Sequence, residues 1–280
     1  MSVRLRDVMM EQLGALRHEP IEKRIRATLG DQVVIDSTRA LLVWEPKRVV
    51  PTYAVPRDDV AGEIIAGAPV ADDARPGVPA MAAPHLGRRL VYDPSIPFSA
   101  HTTEGEAVTV RVAGVDRNAA AFRPADPDLA DHLLLDFGAF DAWYEEDERN
   151  VAHPRDPFHR VDVLHSSRHV RIELDGTLLA ESTSPYLLFE PPLPVRYYFA
   201  AQDVHMELLE PSDRLTYCAY KGEASYWSVG GQRDLAWCYR QPLHDASEVV
   251  DRIAFFNERV DVVVDGVSQE RPITPWSPRD

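Results

Sequence analysis

The sequence predicts a mainly β protein with minor α content, built as two tandem copies of one small antiparallel β-rich domain with short helices. Three observations carry this. The chain repeats itself: residues 25–59 (IRATLGDQVVIDSTRALLVWEPKRVVPTYAVPRDD) and 170–203 (VRIELDGTLLAESTSPYLLFEPPLPVRYYFAAQD) slide over one another without a gap. That offset sets Arg26 on Arg171, Leu29 on Leu174, Ser37-Thr38 on Ser182-Thr183 and Leu42 on Leu187. It then sets Glu45-Pro46 on Glu190-Pro191, Tyr53 on Tyr198 and Asp58 on Asp203. A duplication fixes architecture before any local reading is made. The runs IRATL, QVVIDS, ALLVW and VVPTY are short, β-rich and divided by turns, with Gly30-Asp31 and Asp175-Gly176 marking the first hairpin of each copy. Finally, 280 residues at 45% hydrophobic content suffice for two ordinary domains, each with its own core.

Taken in order, residues 1–23 form an extension in which Val8, Met9, Leu13 and Leu16 recur at helical spacing, predicting an amphipathic helix over 6–18 that packs on the first copy. Residues 24–147 are the first copy. Its second half matches more loosely, with Gly105-Glu106-Ala107 on Gly222-Glu223-Ala224, Val112 on Val229 and Phe122-Arg123 on Tyr239-Arg240. Between these anchors the first copy carries about 27 extra residues, an insertion at about 61–92. Rich in Ala, Pro and Gly, it reads as an irregular surface loop or, more sharply, as a lid or arm across the second copy. Residues 148–168 are a connector whose aromatic and valine content predicts packing against a domain. The second copy, 169–270, contains SYWSVGGQRDLAWCYR, a hairpin turning at Gly230-Gly231 that sets Cys238 opposite about Ser225. A short helix in PLHDASEVVDRIAFF and a last strand VDVVVDG follow, then a tail over 271–280.

Bulk properties exclude several function classes. A formal charge of −15 argues against nucleic acid, which needs a basic face, but leaves room for a small anion held by local arginines. No apolar run approaches the roughly 18–20 residues that span a bilayer, and the start shows no signal-peptide core. The expectation is a soluble, cytoplasmic protein with no membrane partner; its oligomeric state is not indicated. Cys218 and Cys238 form no CxxC pair, and the hairpin register separates them by roughly 23 Å at about 3.3 Å per residue, which predicts free thiols. His159, His165 and His169 cluster in the connector without an HExxH motif, so neither metal nor cofactor is expected. No Gly-rich phosphate loop and no GxSxG elbow occur.

The strings RHVRIELDGTLLAESTSPYLLFE, RYYFAAQDV, TYCAYKGEASYWSV and AFFNERVDVVVDG resemble the DUF427 family, a small bacterial and fungal domain. The resemblance covers 160–268 closely and 24–147 loosely. It implies a small β-rich fold, tent-like or small-barrel-like, that occurs singly or in tandem, and it brings no established reaction. The family is sometimes labelled a nucleotidyltransferase. That chemistry needs a Gly-Ser step and paired carboxylates holding magnesium, and no such constellation stands out here.

The densest chemistry is Cys218, Tyr220, Lys221, Gly222, Glu223, Tyr226 and Trp227, joined across the hairpin by Trp237 and Tyr239. On a regular strand Cys218, Tyr220, Ala224 and Tyr226 share a face with Trp237 and Tyr239, while Lys221, Glu223 and Trp227 point the other way. A bulge at Gly222 would change this parity and bring Lys221 beside Cys218. A thiol near a lysine is a candidate nucleophile and Glu223 a candidate acid or base. The plainer alternative is a buried thiol, an exposed Lys–Glu pair and core aromatics. The first copy serves as a control. In the Cys218 register it has His101, Thr103, Glu104, Gly105, Glu106, Thr109 and Val110, so the glycine and glutamate read as frame, and Cys218, Lys221, Tyr226 and Trp227 as additions of the second copy.

A second constellation is Arg196-Tyr197-Tyr198 with Asp203 and His205. Tyr53 and Asp58 persist in the first copy, implying a shared structural hydrogen bond, whereas Arg196 and Tyr197 fall on Pro51 and Thr52. An arginine beside tyrosines suits a ligand's carboxylate or phosphate. The combined expectation is a small-molecule pocket in the second copy or between the copies, lined by Tyr197, Tyr198, Tyr226, Trp227, Trp237 and Tyr239, with Arg196, Lys221 and Glu223 supplying polarity. Catalysis there would be cofactor-free acid–base chemistry through Glu223, Lys221 or Tyr226, with Cys218 as the lesser, covalent option. The rival is a non-catalytic binding or scaffold protein whose aromatics are core.

Overall fold

A seven-stranded and a four-stranded antiparallel sheet build each of the two units into which the chain divides, the strands of one pair of sheets falling between Arg17 and Asn150 and those of the other between Asp162 and Ser268. The computed structural model describes residues 2–70, 81–83, 89–92 and 94–278. In the first unit the large sheet runs Arg17–Pro20, Leu41–Trp44, Thr52–Pro56, His132–Leu135, Val115–Pro124, Gly105–Val112, Glu63–Val70. The small sheet runs Glu148–Asn150, Ala142–Glu145, Ile25–Leu29, Gln32–Ser37. The second unit repeats this order strand for strand: Asp162–His165, Tyr186–Phe189, Arg196–Phe199, Ile253–Phe255, Gln232–Pro242, Gly222–Val229, Leu209–Cys218, with Thr177–Ser182, Val170–Leu174, Asp261–Val264, Val267–Ser268. The architecture is mainly β and duplicated, and no sheet closes into a barrel among the described residues.

Alternation explains how these runs become strands. Val170, Ile172 and Leu174 are buried while Arg171 and Glu173 are half-exposed, so one face meets the core and the other meets solvent. Asp175 and Gly176 both take positive φ (50° and 81°), the backbone a tight two-residue hairpin requires. The main core of the second unit lies between its sheets, where Ile172, Val262 and Val264 meet Phe199, Trp227 and Phe255. A smaller cluster lies on the opposite face of the large sheet and includes Ala246 and Val249 of the 3₁₀ turn His244–Val249. The first unit has the same pair of clusters.

Several expectations change. Only Leu5–Met9 of the anticipated 6–18 helix is helical, and it buries nothing. Leu13 is buried from a 3₁₀ turn ending at Gly14, a poor helix former, and the next residues join the sheet by pairing Arg17 with Trp44. The connector contains an edge strand, Asp162–His165, paired with Tyr186–Phe189. The insertion begins as strand rather than loop: Glu63–Val70 pairs with Gly105–Val112, just as Leu209–Cys218 pairs with Gly222–Val229. Its β-branched start (EII) drives pairing despite the Ala, Gly and Pro that follow. Residues 71–80 and 84–88 of the expected insertion lie outside the described residues.

The gapless offset also fails in one place. Leu42 pairs with Tyr53, but its counterpart Leu187 pairs with Tyr197. The loop after Glu190-Pro191 is therefore one residue shorter than the loop after Glu45-Pro46. Tyr53 is the counterpart of Tyr197, Ala54 of Tyr198 and Thr52 of Arg196. The shared aspartate shifts in step: Ser37 donates to Asp59 and Ser182 to Asp203, at 2.6 and 2.7 Å.

Candidate functional site

The Cys218–Trp227 segment is not one strand. The chain reverses through Ala219, Tyr220 and Lys221, with Cys218 paired to Gly222 across the turn. The expected faces hold for Ala224, Tyr226, Trp237 and Tyr239, which share one, and for Trp227, which takes the other. Cys218, Tyr220 and Lys221 leave the pattern because the turn separates them from that strand. The aromatics divide between opposite faces of the sheet: Tyr197 and Trp227 join the core between the sheets, whereas Tyr198, Tyr226, Trp237 and Tyr239 join the cluster on the other side. They do not line one pocket. Glu223 is exposed and acts on Tyr217, raising that phenol's pKa through a hydrogen bond. The Tyr226 hydroxyl meets Thr216 Oγ1 at 2.7 Å, and Trp237 Nε1 donates to the Tyr198 hydroxyl at 3.1 Å. The hairpin register holds as expected, with Ser225 opposite Cys238 and both thiols free. Burial pushes the Cys238 thiol up.

Arg196 is already engaged. Its two terminal nitrogens donate to Glu258 at 2.7 Å each, and Thr274 Oγ1 donates to the same carboxylate at 2.6 Å. The guanidinium also lies over Trp237, Phe256 and Trp276, with centroid distances of 5.6–5.8 Å. Burial opposes ionisation of Glu258, but the Arg196 bond prevails and holds its pKa below the usual value. A bidentate, desolvated pair of this kind leaves little of the guanidinium for a ligand.

Lys221 is different. The turn carries it inward, where Nζ donates to Glu190 Oε2 with both residues buried. Glu190 Oε1 meets His159 Nε2 at 3.1 Å, and the His159 ring lies 4.3 Å from the ring of Tyr220. Burial disfavours the charged Glu190, yet Lys221 and His159 outweigh it and hold the carboxyl at about 2. Burial likewise opposes the Lys221 charge, but Glu190, with smaller contributions from Cys218 and Tyr198, drives its pKa upward. Tyr198 itself is pushed up by burial. The structure thus brings Lys221, Cys218 and Tyr198 together, and adds Glu190 and His159.

The first unit builds a variant of the same arrangement. Glu45, the counterpart of Glu190, accepts from Thr102 N at 2.8 Å, meets His101 Nδ1 at 3.2 Å and faces Arg48 Nε at 3.8 Å. The repeat sets Glu45-Pro46 on Glu190-Pro191, and a carboxylate that recurs at one buried position in both copies is the sequence signal that points to this site. His159 serves here as the carboxylate's partner, a role that the absence of an HExxH motif does not address. Among the described residues no group of three His, Cys, Asp or Glu side chains is placed to hold a metal ion, and no helix is long and apolar enough to cross a membrane.

A sequence model described as a domain of unknown function, DUF427, matches residues 17–71 and 162–266, more than half of the chain. No curated protein matches it.

Proposed function

The chain belongs to the DUF427 family, and from that premise we propose that its second unit binds a small molecule beside the Lys221–Glu190–His159 triad and performs cofactor-free proton transfer there. The carrying observation is the triad itself: two opposite charges buried in an aromatic setting, with an imidazole on the carboxylate. Burying an ion pair is a poor route to stability, because desolvation offsets the attraction, and such pairs concentrate where chemistry needs them. The pKa directions divide the roles. Lys221 stays protonated and Glu190 stays ionised, so neither is the proton carrier; together they are a fixed charge pair able to stabilise an anion forming at Lys221. His159 is the proton carrier, since imidazole is the side chain most often used in general acid–base catalysis. Cys218, partly exposed on the same turn, is a second contact for the bound molecule.

A scaffold reading has one observation in its favour: Tyr226, Trp237 and Arg196 turn their polar atoms to partners inside the fold. A metabolite library screened by thermal shift separates the two. The acid–base reading expects compounds that stabilise the wild type but not a Lys221→Met/Glu190→Gln variant of retained fold. If no compound shows that dependence, the triad is a fold element and the scaffold reading stands.

A further inference from the structure

Toward the Gly230-Gly231 turn, both neighbours of the strand Gly222–Val229 bulge. Leu209–Cys218 loses register with it between Ser212 and Leu215, which puts Asp213 and Arg214 outside the ladder. Gln232–Pro242 loses register with it between Gln232 and Ala236. Leu235 turns into the core there, while Arg233 and Asp234 leave the ladder, Asp234 at a left-handed φ of 52°. Bulges re-aim side chains and are over-represented next to functional sites. Here the two open on one surface cavity of about 440 Å³, walled by Ser212, Asp213, Arg214, Ser228, Arg233 and Asp234.

The fold leaves cationic donors uncommitted in this cavity. Arg233 is exposed, and none of its guanidinium nitrogens has a hydrogen-bond partner among the described residues. Arg214 gives Nη1 to Asp234 Oδ2 at 3.3 Å and lies over the Tyr226 ring at 5.1 Å, while its Nε and Nη2 have no such partner among the described residues. Ser228 Oγ accepts from Asp234 N at 3.2 Å and keeps its own hydrogen to donate. A third guanidinium stands behind: Arg259 donates to the Asp234 carbonyl at 3.4 Å and to Gln232 Oε1 at 3.2 Å. Burial lowers the Arg259 pKa, Asp234 opposes this, and Arg214 lowers it further, so these two arginines repel one another. The carboxylates of the wall are Asp213, which is exposed, and Asp234, which accepts from Ser212 Oγ at 2.5 Å as well as from Arg214. Three guanidiniums to two carboxylates make a local positive excess on a chain of formal charge −15.

The first unit is the control. Its matching strand pairs also lose register, between Ala66 and Pro69 and between Arg117 and Ala121. The residues inside those shifts are Gly67, Ala68, Asn118, Ala119 and Ala120, none of them charged. The bulges therefore belong to the shared frame, and the arginines belong to the second copy.

We propose that this cavity binds the phosphate group of a small molecule. Arg214 and Arg233 approach from strands on either side of Gly222–Val229, so their donors suit an oxoanion that accepts from several directions. A doubly charged phosphate also offsets the repulsion between Arg214 and Arg259 better than a singly charged carboxylate does. The site lies at the opposite end of Gly222–Val229 from Lys221, and its outcome does not depend on the reading given for the triad.

Calorimetric titration of the full chain tests this at low ionic strength and about pH 8, where phosphate is largely doubly charged. The probes are inorganic phosphate, glycerol 1-phosphate and acetate. Phosphate or its ester is expected to bind with a Kd below about 10 mM, and acetate about tenfold more weakly. Tighter binding of the ester identifies a phosphorylated molecule as the ligand, and tighter binding of the free ion identifies phosphate itself; either supports the site. Arg233→Gln removes donors that hold nothing in the fold and should weaken the better probe about fivefold or more, with an unchanged urea midpoint. Any of three results overturns the proposal: no binding of phosphate or ester up to about 10 mM, acetate binding as tightly as phosphate, or binding that Arg233→Gln leaves unchanged.

Discussion

At the scale of single residues, the Lys221–Glu190 pair makes the sharpest demands. Removing one partner leaves the other charge buried alone, which costs about 3–5 kcal/mol, whereas removing both is close to neutral. Lys221→Met is therefore expected to lower the urea-unfolding free energy by that amount, and Lys221→Met/Glu190→Gln to recover most of it. The pair also fixes a pH dependence. Glu190 is depressed from 4.5 to about 2, so its contribution is complete above pH 4.5 and is lost as the pH falls toward 2. Lys221 is raised from 10.5, so its contribution persists up to that pH and fades only at still higher pH. In Lys221→Met, burial is left to raise the Glu190 carboxyl, so the stability gap between wild type and variant should be largest in the neutral to alkaline range and shrink steadily as the pH falls and Glu190 is protonated; a gap unchanged down to pH 2 contradicts the assignment. The thiols provide a simpler check. Cys218 is partly exposed and Cys238 is buried with a raised pKa, so a maleimide should label the native chain once, at Cys218. Of this chemistry, the sequence offers Lys221 beside Cys218 only on condition of a bulge at Gly222. Glu190 was not legible as its partner, because the partner of a turn lysine is set by folding that brings residues 31 positions apart together.

Elements show why the duplicated frame was easier to read than the site. Strand order, hairpin turns and the Ser225–Cys238 register follow from local alternation and turn residues, and these are legible. The loop after Glu190-Pro191 lost one residue, which no local pattern reports. That single step moved Tyr198 from a shared position to one that only the second unit fills with an aromatic, Ala54 being its counterpart. The glycine common to both copies illustrates a different limit. Gly222 sits at φ +91°, a backbone that a side chain strains, because the chain reverses there. Gly105 is needed for space instead: a Cβ would lie 2.3 Å from the Arg123 carbonyl oxygen and 2.4 Å from the Phe122 ring. Gly222→Ala is expected to cost about 1–3 kcal/mol through strain. Gly105→Ala should cost at least as much, because backbone must move to admit the methyl. Urea denaturation of the two variants checks both, and a neutral Gly105→Ala would mean that the strand pair is not as close as the structure has it.

At the scale of the whole molecule the two copies have diverged in opposite directions from one frame. In the first, Arg48 holds the carbonyls of Ile96, Pro97 and Ala100, beyond the insertion, and a short Thr52 stands in the wall of a cavity. The second closed the same region with Arg196 and Glu258 and buried a lysine on the conserved-position glutamate, Glu190. Each unit holds its own two hydrophobic clusters, and among the described residues no cluster draws from both. Stability should therefore be regional, since amides exchange through the opening of contiguous cooperative units. Lys221→Met strikes only the second unit's clusters and sheets. Native-state hydrogen exchange on the variant should show the amides of Val170–Leu174 and Asp261–Val264 exchanging faster by about two to four orders of magnitude, the equivalent of the expected 3–5 kcal/mol. The matching amides of Ile25–Leu29 and Ala142–Glu145 should keep their wild-type rates. Acceleration of both sets by the same factor would show the two halves unfolding as one cooperative body. The duplication would then describe the history of the fold and not the way its stability is partitioned.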